Sequence, residues 1–230
     1  EISSGRFRST LSTLDVSEFP SVDHADPLFS ASIDGRAFKK LLDKTSFAMA
    51  HQGVRYFLNG MLVEFNESHV RAVATDGHRL ALSDLKQDGL EGDSRQVILP
   101  RKGVIEIQRL LHELDGSISL TVGSSHLCAA SSVYTLTTKL VDGKYPDYER
   151  VIPRSGKKVV YADRIELRQA LSRTSILSNE KFRGIRVSIS PGQLQLSANN
   201  PEQEEAEELV NVDYQGEKLD VGFNVSYLQD

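Results

Sequence analysis

The sequence predicts an α+β protein in which antiparallel sheet carries helices on one face, and three observations support this. Short β-like runs return through tight turn signals, which favours antiparallel pairing over parallel crossovers. Three amphipathic helical segments interrupt those runs, each with one apolar stripe and two of them with a basic face opposite. A long internal repeat then shows that the pattern is used more than once. Of the 230 residues, 39% are hydrophobic and 26% charged, enough for a folded core. No apolar run approaches the roughly 18 residues of a membrane span.

The elements follow in order. Asp34 is placed to cap a helix whose residues Ala37, Phe38, Leu41 and Leu42 form one apolar stripe, with Arg36, Lys39, Lys40 and Lys44 opposite. Strands are expected over 55–65 and 70–82, with Asn66-Glu67-Ser68 as the turn between them. Pro100 is expected to open a second helix at its first position, burying Val104, Ile107 and Leu111. Further strands are expected over 117–121 and 134–140. Asp163 caps a third helix with Leu167, Ala170 and Leu171 inward and Arg164 and Arg168 outward. Strands over 185–190, 194–198 and 207–213 complete the reading, and Pro191-Gly192 marks a turn.

The repeat matches the segment beginning Asp34-Gly35-Arg36-Ala37-Phe38 to Asp163-Arg164-Ile165-Glu166-Leu167, an offset of 129 residues. Leu14, Phe19 and Pro20 likewise match Leu140, Tyr145 and Pro146 at an offset of 126. A period of this length is a domain, too long for a solenoid unit. The chain is therefore expected to hold the end of one unit, a whole second unit and the beginning of a third. Its first residues carry neither an initiator Met nor a signal-peptide pattern, and a piece of a longer chain is expected.

Net charge is −5, which by itself argues against a nucleic-acid partner. The charge is segregated, however. Segments 34–56, 101–109 and 164–186 carry +3, +2 and +4, leaving −14 on the remainder. An acidic protein can hold a local positive field in this way. These faces lack interleaved aromatic residues, so they suit phosphate contact better than base readout or stacking.

Catalytic and metal chemistry have little support. Asp76 and His78 form a conceivable acid–base pair, the basis of an alternative reading as a hydrolase or nuclease. No nucleophile motif accompanies them, and Asp76-Gly77 reads more simply as a turn. The six histidines show no metal-ligand spacing, and the acidic run at 201–208 reads as a solvated edge. No cofactor motif is present. The lone Cys128 excludes an internal disulfide and fits a reducing cytoplasm, the expected location.

Several runs carry a family resemblance: Ala50-His51-Gln52-Gly53-Val54-Arg55-Tyr56-Phe57-Leu58-Asn59-Gly60, Ala74-Thr75-Asp76-Gly77-His78-Arg79-Leu80, Lys139-Leu140-Val141-Asp142-Gly143-Lys144-Tyr145-Pro146-Asp147-Tyr148, Ser178-Asn179-Glu180-Lys181-Phe182-Arg183-Gly184 and Ala198-Asn199-Asn200-Pro201-Glu202. Over essentially the whole chain the sequence resembles the bacterial sliding clamps, the beta subunits of the replicative DNA polymerase holoenzyme. The resemblance implies the DNA-clamp fold of repeated domains, with sheets outside and helices lining a hole. It assigns residues 1–27 to the end of domain one, 28–153 to domain two and 154–230 to the beginning of domain three. It implies a homodimeric ring around duplex DNA that is non-catalytic and binds without sequence preference. Facing the DNA would be Arg36, Lys39, Lys40, Lys44, His51, Gln52, Arg101, Lys102, Arg164, Arg168 and Arg173. It further implies a pocket that takes a short peptide motif of polymerases, the clamp loader and repair polymerases. The matching wall residues are Arg55, Phe57, Leu58, Thr75, Gly77, His78, Arg79, Leu80, Pro146, Arg150 and Val151, with Phe57 standing where a tyrosine is common.

Overall fold

A computed structural model describes residues 1–19, 27–88, 90–92 and 94–230; Pro20, matched above to Pro146, lies outside them. The chain divides into two compact units, Glu1–Tyr145 and Pro146–Asp230.

The first unit opens with a hairpin of β1 (Ile2–Ser4) and β2 (Phe7–Ser9). Next come β3 (Phe29–Asp34), α1 (Gly35–Asp43), β4 (Gly60–Asn66), β5 (His69–Thr75), β6 (Leu80–Lys86) and the two-residue β7 (Glu91–Gly92). The unit closes with β8 (Arg95–Pro100), α2 (Arg101–His112), β9 (Ser117–Val122), β10 (His126–Ala130) and β11 (Thr135–Lys139). The order strand–helix–three strands is thus used twice. Each leading strand joins the other half's sheet, giving the antiparallel orders β11-β10-β9-β3-β7 and β6-β5-β4-β8. This exchange ties the halves together by backbone hydrogen bonds as well as by a shared core.

That core is drawn from every layer: Phe38, Leu41 and Leu42 of α1, Val104, Ile107 and Leu111 of α2, Met61, Val63 and Phe65 of β4, and Ile118, Leu120 and Val122 of β9. The helices lie side by side and antiparallel. Arg36 at the start of α1 pairs with Asp115 beyond the end of α2, while Gln108 Nε2 of α2 donates to Asp43 Oδ1 at the end of α1 over 2.7 Å. Strand β4 is buried on both faces, and the chain leaving β11 reaches the edge strand β8 of its sheet. There the Val141 N–H donates to the Ile98 carbonyl at 2.9 Å.

The second unit holds β12 (Tyr161–Ala162), α3 (Arg164–Thr174), β13 (Gly184–Ser190), β14 (Gln193–Asn199), β15 (Glu205–Asp213), β16 (Leu219–Asn224) and α4 (Val225–Gln229). Its sheet order is β12-β15-β14-β13-β16, and Ala170 and Leu171 of α3 pack on Val187, Leu196 and Val210. Strand β16 pairs with β13 and leads into α4, as β8 pairs with β4 and leads into α2.

Both aspartate caps are in place. Asp34 Oδ1 accepts the Ala37 N–H at 2.8 Å, and Asp163 Oδ1 accepts from Ile165 and Glu166 at 2.9 and 2.8 Å. Three expectations are corrected. The strand expected over 55–65 begins only at Gly60, since Tyr56–Asn59 is a 3-10 turn whose Leu58 N–H donates to the Arg55 carbonyl. The strand expected over 70–82 is two strands, divided by a turn at 76–79 that Gly77 permits with φ +94°. Pro100 is the N-cap residue of α2, not its first helical residue, because its carbonyl side belongs to β8.

Candidate functional site

Two groups of predicted site residues take shape inside the first unit. The first is the turn closing the β5–β6 hairpin, where Thr75 pairs with Leu80. Four backbone-directed contacts fix it. Thr75 Oγ1 donates to the Arg79 carbonyl at 2.6 Å and accepts the Gly77 N–H at 3.0 Å. Asp76 Oδ1 accepts the N–H groups of His78 and Arg79 at 2.9 and 3.1 Å. The second Asp76 oxygen takes the Arg79 Nε–H at 3.2 Å. This carboxylate is committed to shaping the turn, which explains the Asp-Gly signal without acid–base chemistry.

Arg79 reaches further. Its Nη2 donates to the Phe47 carbonyl at 2.7 Å, and the guanidinium lies over the Phe47 ring, 5.4 Å from its centroid. The turn is thereby anchored to the segment that leaves α1. On the other side the Arg55 guanidinium rests where Gly77 has no Cβ; a methyl there would sit 2.5 Å from Arg55 Nη2. Leu58 is buried beneath, Phe57 and Leu80 are half-buried, and Arg55, Gly77 and His78 are exposed. An aliphatic floor is therefore rimmed by donors. Pro146, Arg150 and Val151 belong to the second unit and are exposed; Arg150 Nε pairs with Asp147 Oδ2 at 2.7 Å.

The second group is the solvent side of α1 and α2. Arg36, Lys40 and Lys44 recur every four residues along one stripe and are all exposed. Their electrostatic roles differ. Arg36 is paired with Asp115, and Lys39 Nζ with Asp43 Oδ2 at 2.6 Å. Lys40, Lys44 and Lys102 have no ion pair among the described residues, so their charge is available to a partner. Arg101 Nη2 lies 3.4 Å from His51 Nε2, and Arg101 Nη1 donates to the Met49 carbonyl at 3.3 Å, so the loop carrying exposed His51 and Gln52 sits beside the start of α2. In the second unit Arg164 and Arg168 are exposed one turn apart on α3. Arg173 instead grips Glu208 of β15 through Nε and Nη2; the two partners raise the arginine's pKa and lower the glutamate's, in each case chiefly through the shared hydrogen bonds.

The comparisons with known proteins match this frame. The model of the DNA polymerase III beta subunit central domain matches residues 32–147, and that of its C-terminal domain matches 149–230. The chain belongs to the DNA polymerase III beta subunit family. It is 55% identical over 229 residues to the beta sliding clamp of Pseudomonas aeruginosa and 47% identical over 229 residues to that of Escherichia coli K12. In both cases the match takes in 100% of this chain and 62% of the relative, so the chain spans less than two thirds of the length of these clamps. Among solved structures, the P. aeruginosa DNA polymerase III subunit beta superposes with a TM-score of 0.93 at 55% identity, covering 98% of this chain and 62% of that one. The C. crescentus beta sliding clamp does so with 0.92 at 37%, covering 99% and 62%. The antiparallel sheets and packed helices are the clamp fold.

Two residues that the sequence reading did not single out for the turn are Phe47, described above, and Tyr145. The Tyr145 hydroxyl accepts the Thr75 N–H at 3.1 Å, pinning the end of β5 to the chain that leaves the unit. In the sequence Tyr145 is a repeat position and part of a family-like run but gives no sign of its link to the turn, because a hydrogen bond across 70 residues leaves no local pattern. Burial pushes its hydroxyl up to about 12, although the Thr75 N–H pulls the other way. In the unfolded chain a tyrosine titrates near 10. The folded state therefore holds this proton more tightly. Its contribution is whole below about pH 10 and is lost as pH rises through about 12, at most about 3 kcal/mol in total. Urea titrations followed by tyrosine fluorescence should show that alkaline fall in the parent and a shallower one in Tyr145→Phe. At neutral pH the variant should be about 1–2 kcal/mol less stable, since the Thr75 N–H loses its partner. Equal alkaline slopes in both proteins would rule this account out.

Proposed function

We propose that this chain is part of a sliding clamp that encircles duplex DNA and tethers the replicative DNA polymerase as a processivity factor. In this reading 1–27 end the first clamp domain, 28–153 form the second and 154–230 begin the third. Two such chains, in their full length, close a homodimeric ring in the cytoplasm. The role is non-catalytic: a topological link raises the effective concentration of polymerase at the primer end without a tight base contact. Contacts to phosphates carry no sequence information, so the ring can translate along the duplex.

The observation that carries the proposal is the stripe of exposed cations on α1, with Lys40 and Lys44 unpaired among the described residues, in a chain whose relatives are named sliding clamps. Arg36, Lys39, His51, Gln52, Arg101, Lys102, Arg164, Arg168 and Arg173 complete the proposed DNA-facing set. The turn at 76–79 supports a peptide site. Leu58 and Leu80 suit apolar side chains, while Arg55, Thr75 and Arg79 suit a peptide's polar groups, with Phe57, Gly77 and His78 shaping the wall. Pro146, Arg150 and Val151 are proposed as its remaining members. A P. aeruginosa clamp structure, 55% identical, is bound to griselimycin. The polymerase, the clamp loader and repair polymerases are the proposed peptide donors.

The test is retention on DNA. The full-length protein should stay on a nicked circular duplex through gel filtration and leave the same DNA once it is linearised. Equal loss from both forms would overturn the proposal.

A further inference from the structure

The first unit contains a cavity of about 490 Å³ that shares no residue with the peptide or DNA-facing sets. It lies where β8, the β9–β10 turn and the exit of β11 meet. Four backbone hydrogen bonds brace its surroundings. The Leu140 N–H donates to the Ser125 carbonyl at 2.8 Å and the Val141 N–H to Ile98 at 2.9 Å; Gly123 N–H donates to His126 and Leu28 N–H to Val122, both at 2.9 Å. The lining is two-faced. Leu28, Val97, Leu140 and Val141 are apolar, whereas Arg95, Lys139, Ser124 and Ser125 are polar. Among the described residues of the lining Asp142 is the one acid, leaving their net charge positive.

Arg95 and Lys139 give the polar end its positive charge. A guanidinium offers the two oxygens of a carboxylate charge-assisted hydrogen bonds. Ser125 Oγ is already engaged with His126 Nδ1 at 2.9 Å, so the guanidinium and the Lys139 ammonium are the principal anion-seeking groups. The volume is that of a small-ligand pocket and exceeds what a bare inorganic anion fills.

We propose that this cavity binds the C-terminal residue of a peptide, taking its free carboxylate at Arg95 and Lys139 and its apolar side chain against Leu28, Val97, Leu140 and Val141. Capture of a free chain terminus is a general mode of peptide recognition, and here the cations supply the charge that a carboxylate seeks. It would give the protein a second peptide contact, set apart in chemistry from the turn at 76–79 by its need for a free carboxylate.

N-acetyl-leucine, N-acetyl-leucinamide and inorganic phosphate serve as probes in an NMR titration of the isotope-labelled 230-residue chain. N-acetyl-leucine should shift the amides of Gly123, Ser124, Ser125 and Gly143 saturably, and the uncharged amide should bind about tenfold more weakly or not at all. Arg95→Met should weaken N-acetyl-leucine about tenfold with unchanged signals elsewhere. Should that variant disturb β8, Lys139→Met on the exposed end of β11 keeps the test open, with an expected loss of about threefold. Equal binding of acid and amide, phosphate binding in preference to N-acetyl-leucine, responses confined to other residues, or no response at all would each overturn the proposal.

Discussion

Replacing Arg79 by methionine is expected to lower the stability of the first unit by about 2–3 kcal/mol and to abolish the peptide binding proposed for the turn. The magnitude follows from burial. The Arg79 and Asp76 side chains are only 17% and 16% exposed, so the pair is shielded from the solvent that makes surface ion pairs nearly worthless. Methionine keeps much of the stem but removes the Nε contact to Asp76, the Nη2 contact to Phe47 and the cation over the ring. It also strands the Asp76 carboxylate, which would still accept two backbone N–H groups but would have lost this counter-charge. Arg79→Lys should recover less than half the loss, because an ammonium cannot serve Asp76 and the Phe47 carbonyl in one plane. Urea unfolding read by tyrosine fluorescence is the measurement, and the absence of tryptophan keeps that signal clean. Arg36→Met, which breaks an ion pair whose side chains are 79% and 87% exposed, should leave the midpoint where it is. A loss for Arg79→Met as small as that control would show that the turn does not depend on the guanidinium.

The contrast between these two arginines shows where sequence reading succeeds and where it stops. The aspartate caps, the inward stripes of α1 and α2 and most strands follow from periodicity and local chemistry, which act over a few residues. Strand β3 is hard to see in the sequence because its inward Phe29, Ala31 and Ile33 alternate over only six residues that run straight into the cap. Strand β8 is hidden in the sequence because its last residue, Pro100, signals the helix that follows it. The domain-length repeat is visible because its copies keep the capped helix. The shorter repeat within the first unit is not, since α1 and α2 share topology but little sequence. Asp76 and His78 looked like chemistry in one dimension; three dimensions make Asp76 the organiser of a turn. Charge was legible as a sum but not as availability: nothing in the sequence tells Arg36 and Arg173, held by Asp115 and Glu208, from Lys40 and Arg168.

That distinction sets the second large effect. Binding of this chain to a short duplex, followed by fluorescence anisotropy from low to moderate salt, should weaken along a line whose slope counts released counterions. Lys40→Ala with Lys44→Ala should flatten the slope by about 2, and adding Arg164→Ala with Arg168→Ala by about 2 more, since each phosphate contact contributes about 0.9. Every duplex sequence should be affected alike, because phosphate contacts position the protein without reading bases. Arg36→Ala and Arg173→Ala carry the same formal charge change but should move the slope less. Removing either one frees a carboxylate, Asp115 or Glu208, so part of the lost attraction is a changed long-range field and not a lost contact. Lys39→Ala should behave like Arg36→Ala through Asp43. If all seven substitutions lower the slope equally, DNA responds only to net charge and the stripe has no special role. If Lys40, Lys44, Arg164 and Arg168, which have no ion pair among the described residues, can be removed with the slope intact, the helices do not face DNA at all.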